Sequence, residues 1–376
     1  MKRIFPLILS LSLFACNNSN TNTTGNVATD STQTVKGGSE LITFVGRTDY
    51  SNADAPKQWA AGAYFTFAFT GEYCEIVLND EVVWGKNHNI MEIAIDNNPT
   101  VKIRCKDKVN RFVIGTSSKN YADTANVIKV DMKLSNAEHH VTICRDQETA
   151  MGFTQPVEIT AAKITKWTPE TSQKIEFIGN SITCGAESDT ADVSIKDYQW
   201  GDWHRAYYGY GPRTARNLNA QYSLVSVSGI GLIHSCCDME ITMPQVYDKI
   251  QLRDNKNEYD FSYKPDLITI CLGENDGVQN DKKFTTAYID FIKTVIEKNP
   301  QVKRIILLSS PMASPQLKTW MQKVLPQVVE KIKADGFANI SYYMFSKSWN
   351  EGGMSHPSVE QHEEIANELT EYIKSL

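Results

Sequence analysis

The first part of the chain, from residue 41 to about residue 167, alternates apolar and polar positions with a period of two. This alternation predicts many short strands, each with one face turned toward a core. Turn-forming residues such as Gly71 and Asn97-Asn98-Pro99 separate the strands. We predict strands at residues 63–69, 74–78, 91–95, 101–105, 127–134, 140–144 and 159–167. Many short strands with little helical periodicity are typical of a β-sandwich or jelly roll.

The pattern changes after Thr168-Pro169, where apolar strands begin to alternate with helical patterns. These strands are predicted at residues 175–178, 222–227, 267–272, 304–309 and 340–345. Helices are predicted over residues 284–296, 315–334 and 358–373 from apolar positions spaced three and four apart. Strands that alternate with helices predict a parallel sheet flanked by helices. We therefore expect a β domain over residues 40–168 and an α/β domain over residues 172–376.

The N-terminus has the pattern of an export signal followed by a tether. Two basic residues precede an apolar run over residues 4–14, which is too short to span a bilayer. Leu13-Phe14-Ala15-Cys16 resembles a bacterial lipobox, in which the cysteine is lipidated and becomes the mature N-terminus; an ordinary signal peptide cleaved near Ala15 is the alternative. Residues 17–39 are rich in Asn, Thr, Ser and Gly and predict a disordered tether. We expect a signal peptide over residues 1–16 and a lipoprotein of the bacterial cell envelope, held at the outer membrane by its lipid.

Composition narrows the possible partners. The chain has 376 residues, of which 41% are hydrophobic and 22% charged, as expected for a globular protein with more than one domain. The formal net charge of −6 and the lack of a Lys/Arg-rich block argue against a nucleic-acid partner. The cysteines other than Cys16 match neither a disulfide framework nor a Cys-x-x-Cys metal site. We expect most of them to be buried thiols and do not expect redox activity of Cys236-Cys237.

A candidate nucleophile follows the first apolar strand of the second half. That strand ends at Gly179, and Ser181 comes two residues later. Glycine accepts the backbone angles of a sharp turn, so the Ser181 hydroxyl would lie at the carboxyl end of the sheet, where open α/β sheets bind ligands. A serine becomes nucleophilic only with a histidine base and donors for an oxyanion. An N-capping role is the alternative for this serine.

Three further stretches carry groups that could complete such a site. Gly229 and Gly231 end one predicted strand, and glycine lets backbone N–H groups approach a ligand closely. Asn275 follows the next strand and offers an amide donor. His356 lies in a loop just before the last predicted helix.

Together these motifs resemble those of the SGNH (GDSL-type) hydrolase family. Gly179-Asn180-Ser181-Ile182-Thr183 is similar to its first block, Gly231 to its second, Gly273-Glu274-Asn275-Asp276 to its third and Ser355-His356-Pro357 to its last. The preceding β domain, with Ala206-Tyr207-Tyr208 and Leu232-Ile233-His234, further resembles carbohydrate esterase family 2. That resemblance implies an N-terminal jelly roll, a flavodoxin-like SGNH catalytic domain and removal of acetyl groups from plant polysaccharides such as xylan and glucomannan. We expect neither a cofactor nor a metal.

The resemblance also implies a role for each residue of the catalytic centre. Ser181 would attack the ester carbonyl, and His356 would accept its proton and later return it to the leaving alcohol. The backbone N–H groups of Ser181 and Gly231 and the side chain of Asn275 would hold the oxyanion, with Gly229 as the alternative to Gly231.

One part of the family pattern is missing. SGNH enzymes usually carry an aspartate two or three residues before the histidine, and those positions here are Met354 and Gly353. A backbone carbonyl that orients His356, in a Ser–His dyad, is the preferred interpretation. Glu351 is the candidate orienting acid if a carboxylate does so.

Aromatic residues cluster after the candidate nucleophile. Flat apolar rings suit stacking against sugars, so we assign Trp200 and Trp203 to substrate binding, with packing between the domains as the alternative. We expect a lipid-anchored O-acetylesterase that acts on an acetylated polysaccharide or oligosaccharide. The alternatives are an esterase that acts on another acylated glycan, such as peptidoglycan or sialic acid, and a catalytically silent carbohydrate-binding lipoprotein.

Overall fold

The computed structural model describes residues 32–115, 122, 124–191, 198–253 and 257–376. The predicted signal peptide with Cys16, and residues 17–31 of the predicted tether, lie outside the described residues. From Thr32 to Leu376 the chain forms one compact unit. The domain boundaries at residues 40–168 and 172–376 therefore stay a prediction.

The first half of the described chain contains eleven strands that are joined into one sheet. They are β1 Gln33–Lys36, β2 Thr43–Val45, β3 Thr48–Asp49, β4 Lys57–Gln58, β5 Tyr64–Asp80, β6 Ile90–Ile95, β7 Val101–Arg104, β8 Val109–Gly115, β9 Val127–Val130, β10 Glu138–Arg145 and β11 Thr154–Thr165. All pairs are antiparallel except β8 with β9. This confirms the prediction of an antiparallel β half.

The long strand β5 connects the two parts of this sheet. Its first part pairs with β10, up to Thr70, and its second part pairs with β8, from Tyr73 onward. Between them Gly71 has φ +114°, an angle that favours glycine, and the strand changes partners there. The apolar side chains on the inner face, among them Phe65, Phe67 and Phe69, are buried in one core.

One sequence-based expectation is corrected here. Gln33–Lys36, placed in the predicted tether, forms β1 and pairs with β11 from Gln33↔Ala161 to Lys36↔Glu158. This strand has a single apolar residue, Val35, so composition does not distinguish it from the tether before it. Its stability comes from backbone hydrogen bonds to a neighbouring strand and from the contact between the Thr34 and Thr160 hydroxyls at 2.8 Å.

The second half of the described chain has a five-stranded parallel sheet with helices. The strands are β12 Gln173–Gly179, β13 Ala220–Ser226, β14 Leu267–Cys271, β15 Arg304–Leu308 and β16 Ile340–Tyr343, and the helices are α1 Ser181–Cys184, α2 Tyr210–Asn217, α3 Met243–Val246, α4 Asp281–Lys298, α5 Pro315–Ala334 and α6 Val359–Lys374. The strand order β13-β12-β14-β15-β16 is that of the flavodoxin-like doubly wound fold. The predicted fold class is confirmed for both halves. No helix in the described part of the chain is long and apolar enough to cross a membrane.

The two halves are packed against each other through buried side chains. The Tyr64 ring of β5 lies 4.9 Å from the Tyr222 ring of β13, measured between centroids. The segment that follows β10, residues 145–149, is almost fully buried, and the Gln147 amide donates to the Gly201 carbonyl in the second half. The chain after β10 therefore reaches the loops at one edge of the parallel sheet.

Candidate active site

Ser181 lies in a tight turn directly after β12. Asn180 is extended and caps α1, because its Oδ1 accepts from the Ile182 N–H at 3.2 Å. A Cβ at Gly179 would lie only 2.1 Å from Thr183 Oγ1, so this close approach requires glycine. Gly179 pairs with Ser226 of β13 and with Cys271 of β14. The turn therefore presents Ser181 at the edge where the loops after all three strands begin.

The structure brings His356 to Ser181. The Ser181 hydroxyl and His356 Nε2 are 2.8 Å apart, and His356 Nδ1 is 3.1 Å from the Gly353 carbonyl oxygen. The intervening Met354 and Ser355 have φ of 51° and 62°, and this tight turn brings the carbonyl back to the ring. Because a carbonyl can only accept, Nδ1 carries the proton, and Nε2 is free to accept from the serine. The geometry is that of a serine and its general base.

The orienting group is the backbone carbonyl of Gly353 rather than Glu351. Glu351 is exposed, and its backbone N–H donates to Gln361 Oε1. Among the described residues, no carboxylate accepts a hydrogen bond from the His356 ring. Burial lowers the pKa of His356 below 6.5; the bond to Gly353 and the Glu187 charge oppose this effect, whereas the His204 charge adds to it.

The predicted oxyanion role of Gly231 needs correction. Gly231 is buried, and its N–H donates to Ser235 Oγ at 3.0 Å, so this donor is already engaged. Gly229, the alternative, is partly exposed, has φ +82°, and its N–H has no acceptor within the described part of the chain. We therefore propose Gly229 for this role.

Asn275 is held beside the same turn. Its Nδ2 donates to the Ile230 carbonyl at 2.8 Å, and the amide keeps a second N–H for a ligand. The next residue, Asp276, accepts from the backbone N–H groups of Leu232, Ile233 and His234 at 2.7–3.1 Å. Burial raises the pKa of Asp276, and these three donors oppose that shift. Sequence reasoning missed this anchoring role, although Asp276 belongs to the motif that contains Asn275.

The two tryptophans assigned to substrate binding lie near the histidine loop. Trp200 is half-buried, and its ring centroid lies 6.4 Å from that of His356, with the planes at 63°. Trp203 is also half-buried and packs on Tyr198 at 4.3 Å between ring centroids. Trp200 therefore lies beside the base, and Trp203 lies beside Gly353, where an added Cβ would be 3.1 Å from its ring. Trp200 also contacts the first half of the chain through a hydrogen bond to Glu148.

A buried acid–imidazole–acid cluster beneath the site has no signal in the sequence. His204 Nδ1 is 3.3 Å from Glu187 Oε1, and His204 Nε2 is 3.6 Å from Glu148 Oε1. The three side chains are at most 1% exposed. Glu148 follows β10, whereas Glu187 and His204 lie 17 residues apart in the connection between α1 and α2. No spacing marks the three as partners, and the sequence pattern favours a purely structural His204.

The cysteines and acidic residues show no metal chemistry in the described parts of the chain. No group of three or more His, Cys, Asp or Glu residues there could hold a metal ion. Cys236 and Cys237 form a disulfide, which their spacing does not predict. The free thiols within the described ranges are buried, namely Cys74, Cys105, Cys144, Cys184 and Cys271.

The flavodoxin-like sheet and the Ser181–His356 pair define the class of the protein as an α/β serine hydrolase. Two family models match: "Carbohydrate esterase 2 N-terminal" over residues 44–131 and "GDSL-like Lipase/Acylhydrolase family" over residues 177–363. Residues 177–363 form a GDSL-type (SGNH) hydrolase domain, and the order of the two matches is that of carbohydrate esterase family 2. The chain is a serine esterase.

Known relatives agree with this family. An acetylxylan esterase / glucomannan deacetylase of Cellvibrio japonicus is 25% identical and covers 100% of this chain and 99% of the relative. The cellulase/esterase CelE of Acetivibrio thermocellus is 26% identical over 89% of this chain, which spans 39% of that longer relative.

Solved structures show the same fold. A family two carbohydrate esterase from Cellvibrio japonicus has a TM-score of 0.77 at 21% identity and covers 92% of this chain and 98% of that one. A family two carbohydrate esterase from Clostridium thermocellum, solved in complex with cellohexaose, has a TM-score of 0.75 at 23% identity. The match covers 89% of this chain and 98% of that one.

The lowered pKa of His356 predicts the acid limit of activity. The ring accepts a proton only when it is neutral, so activity is present above its pKa and is lost as the pH falls through it. Since kcat/KM reports the free enzyme, we expect half-maximal kcat/KM for p-nitrophenyl acetate at a pH below 6.5. A pH series from about pH 4 to about pH 8 measures this midpoint, and a midpoint clearly above 6.5 would contradict the lowered pKa of His356.

The dyad predicts that Glu351 is dispensable. Glu351→Gln should lower kcat/KM by well under tenfold, or about 1.4 kcal/mol, because Gly353 already fixes the His356 tautomer. Steady-state kinetics on p-nitrophenyl acetate measure the change, with the exposed Glu360→Gln as a matched control. A loss of about a thousandfold in folded Glu351→Gln would mean that this carboxylate orients the base.

Proposed function

We propose that this chain is a carbohydrate O-acetylesterase that removes acetyl groups from plant cell-wall polysaccharides such as xylan and glucomannan. The observation that carries the proposal is the 2.8 Å Ser181–His356 pair in a chain with the domain order of carbohydrate esterase family 2. A relative that matches along its whole length acts, by its name, on acetylated xylan and glucomannan. The half-buried rings of Trp200 and Trp203 near the base add surfaces suited to sugar stacking.

The geometry supports an acyl-enzyme mechanism. Ser181 Oγ attacks the acetyl carbonyl carbon while His356 Nε2 takes the hydroxyl proton. The negative charge that develops on the carbonyl oxygen is met by the N–H groups of Ser181 and Gly229 and by Asn275 Nδ2. When the intermediate collapses, the sugar oxygen leaves and takes the proton from His356, so acetyl-Ser181 remains. Water, activated by the same ring, then releases acetate and restores the serine.

The neutral orienting group makes the oxyanion donors especially important. A carbonyl fixes the tautomer of His356 but stabilises the imidazolium less than a carboxylate would. One donor aimed at the developing oxyanion is worth about 3 kcal/mol in known enzymes. The position of the Gly229 turn is therefore a main requirement for this esterase.

Removal of the nucleophile tests the function. Ser181→Ala should lower acetate release from acetylated xylan, glucomannan and pectin by about 10⁴-fold or more while the free energy of unfolding changes by under about 0.5 kcal/mol. Enzymatic quantification of acetate measures the release, and the exposed Ser262→Ala is the control. Near-wild-type kcat in Ser181→Ala would refute the assignment, and wild-type protein that binds these glycans without releasing acetate would favour a binding protein.

The N-terminal segment supports a second proposal, that Cys16 is lipidated and anchors the protein to a membrane of the bacterial envelope. An apolar run and a lipobox-like Leu13-Phe14-Ala15-Cys16 carry it. Stable anchoring needs more than one acyl chain, as a lipidated N-terminal cysteine provides. Cys16→Ala should move the protein from the membrane pellet to the soluble fraction, with Ser19→Ala as the control. Unchanged partitioning of Cys16→Ala, measured by immunoblot after ultracentrifugation, would exclude the anchor.

A further inference from the structure

Glu148 is a buried carboxylate that belongs to the first half of the chain and lies among loops of the second. It follows β10 in a segment where Arg145, Asp146, Gln147, Glu148 and Thr149 are all at most 1% exposed. Arg145 donates to the carbonyl oxygens of Gln147 and Glu148 at 3.0 and 2.7 Å, so its guanidinium folds the segment into a compact loop. The loop backbone is thereby held independently of the Glu148 side chain.

One oxygen of Glu148 fixes the turn that carries the oxyanion donor. Oε2 accepts from the Ser228 N–H at 2.6 Å and lies 3.6 Å from Cys184 Sγ. Ser228 directly precedes Gly229, and Cys184 ends the short helix that begins with Ser181. A charge-assisted bond of this length to a buried backbone donor is strong, and it restricts the peptide that leads into Gly229.

The other oxygen fixes the ring behind the base. Oε1 accepts from the Trp200 indole N–H at 3.3 Å, and the same ring packs edgewise near His356. The Glu148 carboxylate therefore contacts both the turn that carries Gly229 and the Trp200 ring that packs near His356. The cluster reaches His356 by a second route as well, because the Glu187 carbonyl accepts from the Gly353 N–H at 2.7 Å.

The charges of this cluster keep Glu148 ionised. Burial alone would raise the pKa of Glu148, but His204 and Ser228 outweigh it and lower the pKa to about 2. Burial alone would lower the pKa of His204, but Glu148 and Glu187 raise it to about 9. The Glu187 N–H also points at His204 Nδ1, at 3.3 Å, and an imidazolium cannot accept it. The two buried carboxylates favour the protonated form of His204 more than this single long contact favours the neutral form. The cluster is therefore carboxylate–imidazolium–carboxylate at neutral pH.

We propose that Glu148, which the β half of the chain supplies, is a positioning residue of the active site. Its carboxylate holds the turn that carries Gly229 and also holds the Trp200 ring beside His356. The proposal rests on the esterase function proposed above and deepens it: the β half completes the catalytic centre. A misplacement of about 1 Å at a reacting group costs about 100-fold in rate, so loss of this anchor should reduce turnover rather than substrate binding.

A purely structural role for Glu148 makes a different prediction. A buried ion cluster that only stabilises the fold would, when altered, lower the free energy of unfolding and leave kcat per folded molecule unchanged. Glu176 of β12 provides the comparison: it is 2% exposed and accepts from the Tyr247 hydroxyl at 2.9 Å, with no contact to the catalytic groups.

The test compares Glu148→Gln with Glu176→Gln on p-nitrophenyl acetate. Glutamine keeps the shape of Glu148 but has one acceptor oxygen and no charge, so either the Ser228 or the Trp200 bond is lost. We expect Glu148→Gln to lower kcat by about 10- to 100-fold with KM changed by less than about threefold, and Glu176→Gln to leave kcat unchanged. Phosphorylation of Ser181 by diethyl p-nitrophenyl phosphate, followed by mass spectrometry, should slow by a similar factor, because it also needs the oxyanion donors.

A second variant keeps the proposal falsifiable if Glu148→Gln does not fold. Trp200→Phe keeps a smaller aromatic ring and removes the indole N–H that donates to Glu148, and should lower kcat by about three- to tenfold at unchanged KM. Folded Glu148→Gln with kcat within about threefold of wild type would overturn the proposal, and so would an equal loss of kcat in Glu176→Gln. If Glu148→Gln does not fold, an unchanged kcat in Trp200→Phe would overturn it. Neither p-nitrophenyl acetate nor diethyl p-nitrophenyl phosphate is a glycan, so these outcomes can still be interpreted if the polysaccharide assignment fails. A wild-type protein that reacts with neither compound would overturn both proposals.

Discussion

The parallel register around β12 is the constraint on which the active site depends. Gly179, at the end of β12, is paired with Ser226 on one side and Cys271 on the other. The backbone hydrogen bonds of the sheet hold these three strand ends level, so the loops that follow start within one small area. The nucleophile, the Gly229 turn and Asn275 each occupy one of these loops. The histidine loop, which follows β16, completes the site from the far side.

The site also shows how a serine hydrolase can work with little charge beside its base. The Gly353 carbonyl orients His356 at 3.1 Å without adding a charge, and burial keeps the pKa of the ring low. The nearest charges form the Glu148–His204–Glu187 cluster, one contact further out. An ionised cluster in a low-dielectric interior acts over a longer distance than one in water. It also has partners in both halves of the chain, so it links the position of the catalytic groups to the packing of the two sheets.

The hydrophobic pattern predicts the class of both halves because each strand type leaves a clear periodicity. Half-buried strands alternate, as β9 does with its intermediate-buried-intermediate-buried positions, whereas a fully buried parallel strand such as β14 is apolar at every position except Thr269. The pattern does not predict β8, where Phe112, Val113 and Ile114 are buried in succession and the alternation is lost. The pattern also does not predict β1, Gln33–Lys36, for the opposite reason: this strand is held by backbone pairing and has almost no apolar side chains.

The sequence by itself singles out Ser181 and His356 as the proposed nucleophile and base, since each lies next to a recognisable strand end or helix start, in motifs that follow the order of a known family. Only the tertiary structure decides between Gly229 and Gly231, because the answer depends on Ser235, whose hydroxyl occupies the Gly231 N–H. The same holds for the acceptor that orients His356, which is a backbone carbonyl and leaves no trace in residue type. Glu148 is 80 residues from its partner Ser228 along the chain. Contacts of that kind are set by how two sheets pack, which no local spacing encodes.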